Sequence, residues 1–167
     1  MGKCKNIILI GMSGAGKSTL GVLLAKALGK SFTDTDLRIQ QREGRLLQEI
    51  IDSDGVDAFL SAEESAVLSV TDENSVIATG GSVVYSEAAM QHLRSDGTVV
   101  YLRVSFEELT ERLSNITTRG IVFKNGSDLA GVYAERLPLY EKYADITVDC
   151  TGRSIEESVF EIIEKLR

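Results

Sequence analysis

The sequence predicts an α/β fold: a three-layer sandwich in which a five-stranded parallel sheet carries helices on both faces. Three observations lead there. Short apolar, β-branched runs alternate with helical patterns along almost the whole chain, which calls for crossover connections and hence parallel strands. The strongest runs are continuously apolar, as in strands buried on both faces. The informative residues all follow strands, and in such sheets ligands bind beyond the carboxyl ends of the strands.

The elements read in order as follows. Asn6 to Ile10 is a first strand, and Ser18 to Leu28 a helix with an apolar stripe at Leu20, Leu23, Leu24, Ala27 and Leu28, ended by Gly29. Ser31 to Asp34 is a second strand. Asp36 to Glu43 and Leu46 to Asp52 are helical, separated by Gly44, and Ala58 to Val70 follows. Ser75 to Thr79 is a third strand closed by Gly80-Gly81, Glu87 to Arg94 a helix and Thr98 to Val104 a fourth strand. Ser105 and Glu108 predict a capping box. Asn115 to Ser127 lacks apolar periodicity and reads as a mobile loop. Asp128 to Tyr143 predicts a helix interrupted by Pro138, Ile146 to Cys150 the last strand, and Ser154-x-x-Glu157 a capping box on the last helix.

The 167 residues suit one domain, 1–167. A net charge of −7 argues against nucleic acid as partner, but not against nucleotides, which a local nest of amides can hold. The apolar run Ile7 to Ile10 is too short for a signal peptide or membrane span, and Asn6 stands where a myristoylation motif needs Ser or Thr. A cytoplasmic monomer without membrane partners is expected. Cys4 and Cys150 fit neither a disulfide framework nor a zinc spacing, and the single His92 removes any metal site needing two histidines.

Gly11-Met12-Ser13-Gly14-Ala15-Gly16-Lys17-Ser18 fits G-x-x-x-x-G-K-[ST] between the first strand and first helix. Its glycines allow successive N–H groups to aim inward as an anion nest, and the helix start adds its partial positive charge. Lys17 is expected on the outer phosphates of ATP and Ser18 on Mg²⁺, with Gly11, Ser13, Gly14, Ala15, Gly16 and Thr19 completing the phosphate site. No Asn-Lys-x-Asp base-reading motif is present, and the chain is short for a motor, so a small phosphotransfer enzyme is favoured.

Thr33-Asp34-Thr35-Asp36 ends the second strand. Residues two apart on an extended segment face one side, so both carboxylates would reach one cleft, one organising Mg²⁺ and the other receiving the proton of an attacking hydroxyl. Either would also serve simply as a helix cap before Leu37.

These motifs, together with Gly80-Gly81, Arg119 and Arg136-Leu137-Pro138-Leu139-Tyr140, resemble the shikimate kinase family over essentially the whole chain. The resemblance implies a P-loop kinase fold of the nucleoside-monophosphate-kinase type with a mobile lid at about 114–127 and substrate-binding helices at about 36–70. It implies transfer of the ATP γ-phosphate to the 3-hydroxyl of shikimate. Asp34 would lie near Mg²⁺, Asp36 would bind the acceptor hydroxyls and act as base, and Gly80 and Gly81 would let substrate and phosphate approach. Arg119 would be the lid arginine, Arg136 a ligand for the acceptor carboxylate, and Arg112 and Arg153 adenine contacts.

The chain departs from the family in the helix walling the acceptor pocket. Leu60 stands at an arginine that pairs with the substrate carboxylate and Val56 at a glutamate, while Phe59 and Glu63 are kept. Ser82 replaces a third glycine, and Gly120 the proline after the lid arginine. One expectation is a shikimate kinase with a rearranged carboxylate site, drawing on Arg38 or Arg45. Another is a kinase for a different hydroxy acid or polyol, and a third a nucleotide-binding regulator without turnover.

Overall fold

We describe the chain from a computed structural model covering residues 5–114 and 128–167. Five strands form one sheet in the order β2-β3-β1-β4-β5: β1 Asn6–Ile10, β2 Ser31–Asp34, β3 Ser75–Ala78, β4 Gly97–Arg103 and β5 Ile146–Asp149. Every pairing is parallel. β1, apolar from Ile7 to Ile10, is the central strand, buried throughout between β3 and β4.

The helices are α1 Lys17–Leu28, α2 Thr35–Glu43, α3 Leu47–Asp54, α4 Val56–Leu68, α5 Glu87–Ser95, α6 Phe106–Ser114, α7 Leu129–Tyr143 and α8 Ile155–Leu166, with a 3₁₀ turn at Val83–Tyr85. Right-handed crossovers put α1 on one face, because β1 to β2 runs in the opposite sense from the later connections. Helix α8 packs on α1, while α4 packs on α5, and α5 and α7 both meet the 3₁₀ turn. Among the described residues no helix is long and apolar enough to cross a membrane.

Local sequence explains most boundaries. Gly29 ends α1 in the left-handed region at φ 66°, donating its N–H to carbonyls of the last turn. Both halves of the Ser154/Glu157 capping box form. Three readings need correction. The buried face of α1 is Leu20, Gly21, Leu24 and Ala25, not the stripe through Leu23 and Ala27, because Gly21 lets the helix close against the Phe32 ring, where a Cβ would lie 2.7 Å away. Helix α7 runs through Pro138 without interruption; burial of Arg136, Tyr140 and Tyr143 on either side outweighs the missing hydrogen bond. The Ser105 box is half formed. Ser105 Oγ accepts from Glu108 N–H (3.3 Å), but Ser105 N–H donates to Thr151 Oγ1 (2.9 Å) and the Glu108 carboxylate turns elsewhere.

The main core lies around the sheet. A second cluster, Ile39, Ile50, Phe59 and Ala66, holds α2, α3 and α4 together, with Leu60 and Val56 packed against it. These helices stand beside the carboxyl end of β2 on a core of their own.

Candidate active site

The phosphate loop follows β1. Gly11 has φ 146°, and a Cβ there would meet Leu102 O of β4 at 2.7 Å; only glycine fits. Lys17 is buried, and its Nζ donates to Gly11 O (2.7 Å) and Met12 O (2.8 Å), lying over its own loop. A cleft of about 200 Å³ connects Ser13, Gly14, Gly16, Lys17, Ser18 and Thr19 with Asp36 and Gly81. Ala15 is buried beneath them.

Asp34 closes β2 and is also the N-cap of α2: Oδ1 accepts from Asp36 N–H (2.9 Å) and Leu37 N–H (3.2 Å), while Ser18 Oγ donates to Oδ2 (2.7 Å). Capping thus occupies Oδ1 and leaves Oδ2 on Ser18, so the cap does not preclude the metal role expected of Asp34. Asp36 lies inside α2, so it shares the cleft through a strand-to-helix bend, not through the two-residue alternation of a strand. A hydroxyl and a carboxylate oxygen in contact at the start of α1 are hard donors of the kind Mg²⁺ takes, leaving its other positions to water and phosphate.

Gly80 and Gly81 stand where the two halves meet. A Cβ on Gly80 would fall 2.6 Å from Glu63 Oε2 and 2.7 Å from Asp36 Oδ1. One on Gly81 would fall 2.8 Å from Arg136 Nη1 and 3.1 Å from both the N and Oγ of Ser13. Arg136 is buried, only 1% exposed. Its Nε donates to Tyr85 Oη (3.3 Å) and its guanidinium lies over the Tyr85 ring. Burial works against its charge, yet Tyr140 and Tyr85 hold its pKa above the ordinary value. Tyr140 Oη donates to Gly81 O (2.6 Å), fixing the glycine carbonyl.

Arg112 leans on the phosphate loop, donating to Gly14 O (3.0 Å) and to Glu108 Oε1 (2.6 Å). Glu108 Oε2 accepts from Gly152 N–H (2.8 Å), which ties the turn carrying Arg153 to the same edge. Arg153 itself pairs with Glu161. Arg119 and the expected lid lie outside the described residues, except Ser114, which closes α6. Arg38 and Arg45 are engaged elsewhere, Arg38 with Asp72 (2.7 Å) and Arg45 with Asp54 (2.6 Å), and neither lines the cleft with Asp36 and Gly81.

Sequence reasoning gave no role to Glu63, Ser82, Tyr85 or Tyr140. Glu63 and Ser82 are buried, and Ser82 Oγ donates to Glu63 Oε1 at 2.7 Å. Burial pushes the Glu63 carboxyl up to about 7 against the pull of Ser82, with Asp36 adding repulsion and Arg136 and Lys17 opposing it. A glutamate on a helix otherwise packed against apolar residues was the available signal; its partner, nineteen residues away, was not.

A phosphate nest facing a buried arginine and an aspartate across a paired glycine defines a P-loop small-molecule kinase. The shikimate kinase family model matches residues 13–167. Shikimate kinases from Thiobacillus denitrificans and Mycobacterium avium are 40% and 41% identical over 159 and 164 residues, covering 93% and 95% of this chain and 86% and 92% of theirs. A solved shikimate kinase from Acinetobacter baumannii in complex with shikimate superposes with a TM-score of 0.90 at 27% identity, covering 97% of this chain and 92% of that one. The enzyme from Aquifex aeolicus gives 0.83 at 34% identity, with 96% and 95% covered. The chain belongs to the shikimate kinase family.

Proposed function

We propose that the protein transfers the γ-phosphate of ATP to the 3-hydroxyl of shikimate, with Mg²⁺ as cofactor. The observation that carries this reading is the position of Gly81, whose Cβ site lies within about 3 Å of both Ser13 of the phosphate loop and Arg136. Donor phosphate and acceptor anion thus meet across one residue without a side chain. Family membership supports shikimate over another acceptor and an active enzyme over a silent nucleotide binder.

In this mechanism the amides of residues 11–18 and Lys17 receive the phosphates, Lys17 exchanging its bonds to Gly11 and Met12 for phosphate oxygens. Ser18 and Asp34 would hold Mg²⁺, which when bound neutralises charge on the transferring group. Arg136 binds the acceptor carboxylate in a pocket that excludes water, and Asp36 takes the proton of the attacking hydroxyl. Arg112 and Arg153 would border adenine, and Arg119, which lies outside the described residues, would cover the phosphates. Residues 1–167 act as one domain and as a monomer.

The test is ADP release with Mg²⁺-ATP and shikimate, with the product identified by phosphorus NMR. A 3-phosphate ester of shikimate is expected. ADP release with other hydroxy acids or polyols but not with shikimate would overturn the acceptor.

A further inference from the structure

Arg136 is buried on α7, and its neighbours decide where its charge points. Its Nε end is engaged by one side chain: Nε donates to Tyr85 Oη at 3.3 Å, and the guanidinium carbon lies 5.3 Å from the centre of the Tyr85 ring. Its Nη1 end stands 2.8 Å from the Cβ position of Gly81, and Gly81 lines the cleft that holds the phosphate loop. Tyr85 thus fixes one end of a planar fork and turns the other towards that glycine. Burial, and the Glu135 carboxylate beside it, keep the Tyr85 hydroxyl protonated against the pull of Arg136. A phenol with its proton towards a carboxylate offers its oxygen to Nε.

Tyr85 is itself fixed by the turn that follows Gly81. It ends the 3₁₀ turn, its N–H donates to Ser82 O (3.1 Å), and the next residue, Ser86, caps α5. Together with the bond from Tyr140 Oη to Gly81 O, these contacts set Gly81, Tyr85 and α7 relative to one another. Leu60 lines the same cavity of about 160 Å³ as Tyr85 and brings no charge to it, so recognition of an acceptor carboxylate rests the more on how Arg136 is placed.

We infer that Tyr85 is a positioning residue for the acceptor carboxylate: its hydroxyl and ring hold Arg136 with the Nη end at Gly81 before the acceptor arrives. The inference rests on the acceptor site proposed above. Arginine has much rotamer freedom to lose on binding, and a side chain already fixed in its bound direction does not lose it again when the ligand comes. Tyr85 therefore favours an acid over an uncharged polyol of the same shape.

The experiment uses the full chain as wild type, as Tyr85→Phe, which keeps the ring and loses the hydroxyl, and as Tyr85→Leu, which loses both. Steady-state kinetics with Mg²⁺-ATP compare shikimate with its analogue carrying a hydroxymethyl group in place of the carboxylate, as substrate or competitive inhibitor. The shikimate KM is expected to rise about tenfold in Tyr85→Phe and about fiftyfold in Tyr85→Leu. The constants for the uncharged analogue and for ATP should stay within about twofold. In parallel, NMR of nitrogen-15-labelled arginine follows hydrogen exchange at Arg136 Nε, which should quicken about tenfold in Tyr85→Phe. An unmoved shikimate KM in Tyr85→Phe, or an equal rise for both acceptors, overturns the positioning role, and unmoved exchange at Nε overturns the hold on Arg136. Lack of turnover of shikimate by the wild type would instead remove the proposed acceptor and the carboxylate role with it. The exchange measurement, which uses no acceptor, would still decide whether Tyr85 holds Arg136.

Discussion

Gly80→Ala tests the acceptor side with a single methyl group. The new Cβ would lie 2.6 Å from Glu63 Oε2 and 2.7 Å from Asp36 Oδ1, about 0.8 Å short of a relaxed contact. Glu63 is buried and already bonded to Ser82, so retreat strains that bond or pushes Asp36 away from the attacking hydroxyl. Overpacking of this kind costs about 1–3 kcal/mol of stability, a fall in Tm of roughly 2–4 °C per kcal/mol at this chain length. Misplacing a reacting group by about 1 Å costs about a hundredfold in rate. The expected result is therefore a kcat/KM for shikimate reduced about a hundredfold, with a KM for ATP changed less than about threefold, since the phosphate loop is untouched. Steady-state kinetics with each substrate varied, beside a thermal melt, make the measurement. A folded Gly80→Ala enzyme with kcat/KM for shikimate within about threefold of wild type would refute the crowding of Asp36 and Glu63 over Gly80.

Lys17→Ala removes the buried ammonium from the phosphate loop and is expected to abolish transfer; near-normal turnover in the ADP-release assay would refute the phosphate-site assignment. Leu60→Arg places a guanidinium beside the cavity of about 160 Å³ lined by Glu63, Ser82 and Tyr85, and should lower the shikimate KM about tenfold. An unchanged or higher KM would mean that overpacking outweighs the added charge. Glu63 holds its proton more tightly folded, at about 7 against 4.5 unfolded. Its contribution to stability is therefore full below about pH 4.5 and is lost as pH rises to about 7, a loss of about 3 kcal/mol at most. Urea unfolding at pH 5 and 7.5 should show that loss in the wild type and not in Glu63→Gln; equal slopes would refute it.

Local physics determined much of this protein from sequence alone. The apolar runs at Asn6 and Thr98, the glycine at the end of α1 and the Ser154 box act within a few residues, so β1, β4 and the helix ends were legible. The strand-turn-helix from Gly11 to Ser18 was legible for the same reason, because its glycine turn and the start of α1 lie within a few residues of one another. Asp34 was half legible: the metal and capping readings looked like alternatives, and only three-dimensional geometry assigned one oxygen to Ser18 and the other to the amides of α2.

Tertiary structure decided the rest. The face of α1 that is buried, the path of α7 through Pro138 and the diversion of Glu108 to Arg112 and Gly152 all depend on partners distant in sequence. The same holds for the acceptor pocket. Leu60 announced that a cation was missing, but nothing local could show that Arg38 and Arg45 are bound elsewhere, or that Ser82 takes Glu63 as its partner. A phosphate nest is built by backbone close in sequence and is written there. The proposed acceptor pocket draws on side chains from α2, α4, α7 and the turn after β3, which the sheet alone brings together.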